Sequence, residues 1–201
     1  MASPTVLLVI DLQQCLVSPS PEEGPRSTPS LTANVSTILA RWRQLNYPVI
    51  HVQHRASDPR DPLHESHPET NAAHTCAAPL PHEIVRLKTT GSAFGSDHDG
   101  VSLLETLEGL KSATGEKVKL VIIGMDGAQC VNSTTRSAAD LGFDVTVVAD
   151  ACATFGTPDW KKGEAKGKGW GPEETHDLAM AILAGGYARV VTTEELLRSL
   201  Q

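Results

Sequence analysis

The sequence predicts a three-layer α/β/α fold with a doubly wound, mainly parallel sheet of about six strands. Short apolar runs rich in Val and Ile alternate with longer segments of helical period. Several of those runs are apolar on consecutive positions, as strands covered on both faces require. Strand, helix and strand in repetition imply parallel neighbours joined by right-handed crossovers. With 201 residues, 40% of them hydrophobic and 20% charged, the chain suits one domain spanning 1–201.

The first run, Val6–Ile10, ends at Asp11. It is too short to span a bilayer and lacks the basic flank and cleavage site of a signal peptide, so a cytoplasmic location is expected. A helix is expected over Leu31–Asn46, closed by Asn46-Tyr47-Pro48 because the residue before proline avoids the helical region. Strands follow at Val49–Gln53 and Ile84–Leu87, then a helix over Ser102–Leu110 and a strand at Val118–Ile123. The second half alternates likewise: helix Gln129–Leu141, strand Val145–Ala149, helix Pro172–Ala184, strand Arg189–Val191 and a last helix Glu194–Leu200. Gly142 and Gly185-Gly186 follow helix ends, where a left-handed cap costs glycine least. Three long loops remain: Ser18–Ser30, Asp58–Pro81, and Gly156–Gly171 with its two tryptophans, which is either a lid or a solvated loop.

A formal net charge of -7 argues against nucleic acid or an anionic membrane as partner. A small molecule is the expected partner. The four cysteines, at 15, 76, 130 and 152, show neither CxxC spacing nor the density of a disulfide scaffold. They are expected as free thiols, and the question is which one reacts.

In a doubly wound sheet, ligands bind beyond the carboxyl ends of the strands. Asp11 and Lys88 each follow a strand directly, and Cys130 opens a helix after the turn Gly124-Met125-Asp126-Gly127-Ala128. Taken singly, each has a plain structural reading, since buried cysteine is usually an inert small hydrophobe. Together they suit nucleophilic chemistry. The helix end and the ammonium are expected to favour a thiolate, Asp11 to move protons, and the glycine-bearing turn to present an oxyanion hole.

Five motifs in order make the chain resemble the isochorismatase-like cysteine hydrolase superfamily from about Val6 to about Val191. They are Asp11-Leu12-Gln13; Lys88 four residues before Ser92-Ala93-Phe94; Gly124 through Cys130-Val131; Ala138 through Gly142-Phe143 to Asp150-Ala151; and His176 in the next helix. The resemblance implies a hydrolase of a carbon–nitrogen bond, amide or carbamoyl, acting through a thioester. It implies an Asp11–Lys88–Cys130 triad, a cis peptide at Met125–Asp126, and backbone donors from Asp126 or Gly127 together with Cys130. Gln13, His54, Phe94 and Trp160 are expected to bind substrate. No cofactor is expected, and the resemblance also implies a homo-oligomer (dimer or tetramer).

Two departures matter. The usual turn threonine is Gly127 here, so hydroxyl support from that position is absent. Metal-binding nicotinamidases of the superfamily carry D-x-H after the second strand, whereas this chain reads Val52-Gln53-His54, so no metal is expected. The rival readings are a catalytically silent binding or assembly module and a metal-assisted nicotinamidase-type amidase.

Overall fold

The apolar runs all become strands in the computed structural model, which describes residues 5–21, 24–95, 97–98, 100–111, 118–159 and 169–200. In chain order the elements are β1 (Thr5–Ile10), α1 (Gln14–Val17), α2 (Leu31–Gln44), β2 (Val49–His54), α3 (Pro68–Asn71), a 3-10 turn at Thr75–Ala77, and β3 (Ile84–Lys88). A short ribbon, β4 (Asp97–His98) with β5 (Val101–Ser102), leads into α4 (Leu103–Lys111) and β6 (Lys119–Gly124). Then come α5 (Cys130–Asp140), β7 (Asp144–Cys152), α6 (Pro172–Ala184), β8 (Arg189–Val191) and α7 (Thr193–Ser199). The sheet has six strands in the order β3-β2-β1-β6-β7-β8, every adjacent pair parallel. The chain winds one way from β1 to β3 and the other way from β6 to β8. The reversal opens a crevice at the carboxyl ends of β1 and β6.

Consecutive apolar residues fill two separate cores because strand side chains alternate between faces. Val6, Leu8, Ile10, Leu120, Ile122 and Val147 pack with residues of α4, α5 and α6, among them Leu107, Val131, Ala138 and Leu183. Leu7, Val9, Val121, Ile123 and Val148 pack with α2 and α7 through Leu31, Val35, Ile38, Trp42 and Leu196. Each fully buried aliphatic side chain contributes roughly 1.5–3 kcal/mol, so both patterns bind the helices firmly to the sheet.

Two expectations need correction. β7 runs on to Cys152, beyond Ala149, because a register shift between Ile122 and Gly124 lets Gly124 pair with Cys152. Of the expected left-handed caps, Gly142 has φ 78°, but Gly185 is right-handed at φ -71°. The end of α6 is closed instead by the Tyr187 and Ala188 N–H groups, both donating to the Leu183 carbonyl.

Loop Asp58–Pro81 is fastened to the sheet by a buried charge cluster. Glu83 accepts from Arg43 at 2.8 and 2.9 Å, from the Leu80 N–H at 2.8 Å, and lies 2.9 Å from His51 Nε2. Burial works to raise the Glu83 carboxyl, but these donors outweigh it and hold it at about 2. A depressed acid stabilises the fold above its unfolded pKa and loses that contribution as pH falls through its folded one. Glu83→Gln is therefore expected to cost about 2 kcal/mol near neutrality, by denaturant titration. The deficit should shrink between 4.5 and about 2; a deficit independent of pH would contradict this account.

Candidate active site

Asp11 ends β1 in the left-handed region, φ 50°, a conformation that aspartate tolerates better than most residues. Its N–H donates to the Val52 carbonyl at 2.8 Å, and the Gln13 N–H donates to the Asp11 carbonyl at 2.8 Å. Lys88 closes β3, two strands and roughly 9–10 Å away in the sheet, and only a long side chain crosses the end of β2 to reach Asp11. It does reach: Nζ lies 2.7 Å from Asp11 Oδ2, and both side chains are 1% exposed. The same ammonium lies 3.2 Å from Cys130 Sγ, 3.0 Å from the Thr90 carbonyl and 3.2 Å from His54 Nδ1. The fold thus gathers Asp11, Lys88, Cys130 and His54 at one crevice.

Gly124 is indispensable to this geometry. Its φ is 138°, and a Cβ there would collide with the Ile10 carbonyl. The next peptide, Met125–Asp126, is cis, at the position the family resemblance implied. The Asp126 carboxylate then ties the turn down, accepting from the Ala128 N–H at 2.7 Å and the Phe155 N–H at 2.8 Å. Cys130 becomes the first residue of α5, where its own N–H has no partner within the helix.

The electrostatics differ from the expected preformed thiolate. Burial raises the Cys130 thiol, and the negative Asp11 carboxylate raises it further; Lys88 pulls the other way and loses, leaving the thiol at about 11. The resting sulfur is therefore a thiol facing a carboxylate. Burial also raises Asp11, opposed by Lys88 and by its hydrogen bond with Cys130. A raised carboxyl is a better base than one in open solvent. Burial and then Lys88 lower His54, so the ring is neutral and accepts at Nδ1.

Three expected roles are corrected by these contacts. Gln13 is fully buried and committed: its amide donates to the His54 carbonyl and to Asn71, and its oxygen accepts the His54 N–H at 2.8 Å. It holds the end of β2 in place and leaves no group for a substrate. Gly127 is no oxyanion donor, because its N–H donates to the Ala153 carbonyl at 2.8 Å. The Asp126 and Cys130 N–H groups make no hydrogen bond to another described residue. Phe94 is stacked on Phe143, ring centroids 6.1 Å apart, beyond the end of α5 opposite Cys130. The loop after β3 descends along α5, with Ser92 Oγ 2.8 Å from Ser137 Oγ, and this lays Phe94, partly buried, against the outside of the core.

Trp160 lies outside the described residues, as does most of the loop in which it sits. The base of that loop is pinned where Thr157 and Trp170 exchange backbone hydrogen bonds of 3.0 and 2.9 Å. The sequence reading missed Thr90, Thr154 and Phe155. Thr154 and Phe155 lie just past the true end of β7, the position that strand-end reasoning interrogates, but the strand was expected to stop sooner.

The residues do not fit a metal near His54. The Lys88 ammonium occupies its Nδ1 side, Val52 stands where an aspartate would be needed, and the described residues contain no group of three candidate ligands. A groove of about 670 Å³ between α2 and α7, lined by Ser36, Arg41 and Leu197 among others, lies away from these side chains. No helix among the described residues is long and apolar enough to cross a membrane.

The family model of the isochorismatase domain matches residues 5–195. Isochorismatase family protein YddQ of Bacillus subtilis (strain 168) is 34% identical over 197 residues, covering 96% of this chain and 99% of that protein. The secreted isochorismatase effector Isc1 of Verticillium dahliae is 30% identical over 151 residues, covering 73% of this chain and 71% of its own. A crystal structure of an isochorismatase family member from Chromobacterium violaceum superposes with a TM-score of 0.84 at 32% identity, covering 99% of this chain and 94% of that one. The chain belongs to the isochorismatase family of hydrolases.

Proposed function

We propose that the chain is a cysteine-dependent hydrolase of a carbon–nitrogen bond, amide or carbamoyl, in a small molecule. The observation that carries this reading is the Lys88 ammonium, 2.7 Å from a buried carboxylate and 3.2 Å from the sulfur of Cys130. An inert core cysteine has no use for a buried ion pair at its side, since such a pair is costly to desolvate.

The Asp11 carboxylate takes the thiol proton as Cys130 Sγ attacks the substrate carbonyl. The negative charge that develops on the carbonyl oxygen meets the Asp126 and Cys130 N–H donors. Protonated Asp11 then gives its proton to the departing nitrogen, and a thioester remains on Cys130. A water molecule, deprotonated by Asp11, attacks the thioester; the acid leaves and the proton returns to sulfur. Lys88 balances the negative charge that passes between Asp11 and Cys130. Proton transfer from a thiol near 11 happens in step with attack, which is why the base must sit against the sulfur.

The test is ammonia release from a panel of small amides, ureides and carbamoyl acids, with Cys130→Ala as control. A substrate turned over by the parent protein and left intact by the variant supports the reading. Turnover that survives in Cys130→Ala would end it.

A further inference from the structure

Behind the turn that carries Asp126 and Cys130 lies a buried polar pair for which the hydrolytic steps have no use. Thr154 is 0% exposed and His176 7%, and the threonine hydroxyl lies 3.0 Å from His176 Nδ1. Burying two polar side chains costs free energy even when they satisfy each other, so a purely packing role would be met more cheaply by apolar residues. Burial lowers the His176 pKa, against the pull of Asp177, Glu173 and the Ala149 carbonyl, so the ring is neutral and shares one proton with the Thr154 hydroxyl.

The pair stands directly against residue 127. A Cβ there would collide with Thr154 Oγ1, and would lie 3.3 Å from Met180 Cε and 3.4 Å from His176 Nδ1. Thr154 itself cannot retreat, because Ser27 clasps its backbone from both sides. The Ser27 N–H donates to the Thr154 carbonyl and the Thr154 N–H donates to Ser27 Oγ, each at 2.9 Å. On either side, the Ala153 carbonyl accepts from Gly127 at 2.8 Å, and the Phe155 N–H donates to the Asp126 carboxylate at 2.8 Å. Three consecutive residues after β7 thus grip two consecutive residues of the turn.

We propose that Thr154, braced by His176 and Ser27, is the positioning residue of the oxyanion turn, setting from the neighbouring strand end the direction of the Asp126 and Cys130 N–H donors. This rests on the hydrolase reading above. Residue 127 is glycine because the Thr154 hydroxyl occupies the space of its side chain. The support that a threonine at 127 would give the turn arrives instead from across the crevice.

The test uses p-nitrophenyl acetate as acyl donor and reads the burst of p-nitrophenolate from acylation of Cys130. Thr154→Val keeps the shape and loses the hydroxyl; Thr154→Ser keeps the hydroxyl. Displacing an oxyanion donor forfeits part of the hundredfold or more that its removal costs. Acylation by Thr154→Val should therefore slow roughly tenfold or more, with KM within about twofold, and Thr154→Ser should stay near the parent rate. Alkylation of Cys130 by iodoacetamide develops no oxyanion and should be unchanged in both. Acylation by Thr154→Val at the parent rate overturns the proposal, and so does an equal slowing of acylation and alkylation. Should Thr154→Val fail to fold, the double variant Gly127→Ala/Thr154→Ala places a methyl in the vacated space. Slow acylation by that variant supports the proposal, and the parent rate overturns it. A parent protein without any Cys130-dependent burst sinks the hydrolase reading and this inference together.

Discussion

Asp11→Asn is expected to abolish hydrolysis while making Cys130 more reactive toward iodoacetamide. The two effects have opposite signs because Asp11 does two things. It is the base, and removing a general base of this kind costs about 10²–10⁴ in turnover. It is also, after burial, the main reason the Cys130 thiol stands at about 11. With a thiol that weak, only about one molecule in ten thousand carries a thiolate near pH 7. Asparagine removes the negative charge and leaves the Lys88 ammonium 3.2 Å from the sulfur, so the thiolate becomes its natural partner. Alkylation near neutral pH should rise roughly tenfold or more, since each unit of lowered pKa is tenfold in thiolate. Hydrolysis that survives would remove Asp11 from the base's role. Unchanged alkylation would mean that its charge does not reach the sulfur. Cys76, which burial also pushes to about 11, supplies the internal control in the same digest.

Lys88→Met should cost about 3–5 kcal/mol, because it leaves a buried carboxylate with no cation. In a chain of this length that is a fall of roughly 10 °C in Tm. The deficit should depend on pH, and its sign follows from Asp11, whose pKa burial raises above the unfolded value. For such an acid the folded chain holds the proton more tightly. Stability is then lost as pH rises from the unfolded toward the folded pKa, and nothing is lost below the unfolded value. Lys88 limits that shift in the parent, and its removal enlarges it. The stability gap between parent and variant should therefore narrow as pH falls to about 4 and widen toward neutrality. The double variant Asp11→Asn/Lys88→Met should regain part of the stability and none of the activity. A gap of constant size from pH 4 to 7 would mean that lost packing, rather than charge, explains the deficit.

Thr154 acts on the same crevice from the end of β7, and its readout is separable from both of these variants. Asp11 and Lys88 govern the proton and the charge on sulfur, whereas Thr154 governs the direction of two backbone donors. A protein in which all three behave as described would combine a resting thiol, a base already in contact with it, and an anion site built before substrate arrives.

The sequence alone determined the layered parallel fold and the meeting of Asp11, Lys88 and Cys130. Both follow from short-range rules: apolar runs of strand length make parallel strands, and polar residues just past such strands emerge on one edge. Tertiary structure alone decided the state of the sulfur, because a pKa depends on burial and on distances between residues far apart in the chain. It also decided that Gln13 and the Gly127 N–H are consumed internally and that Phe94 packs against the core beside Phe143. Those outcomes hang on where Asn71, Ala153 and Phe143 lie in space, and no local pattern encodes a partner that arrives from another segment.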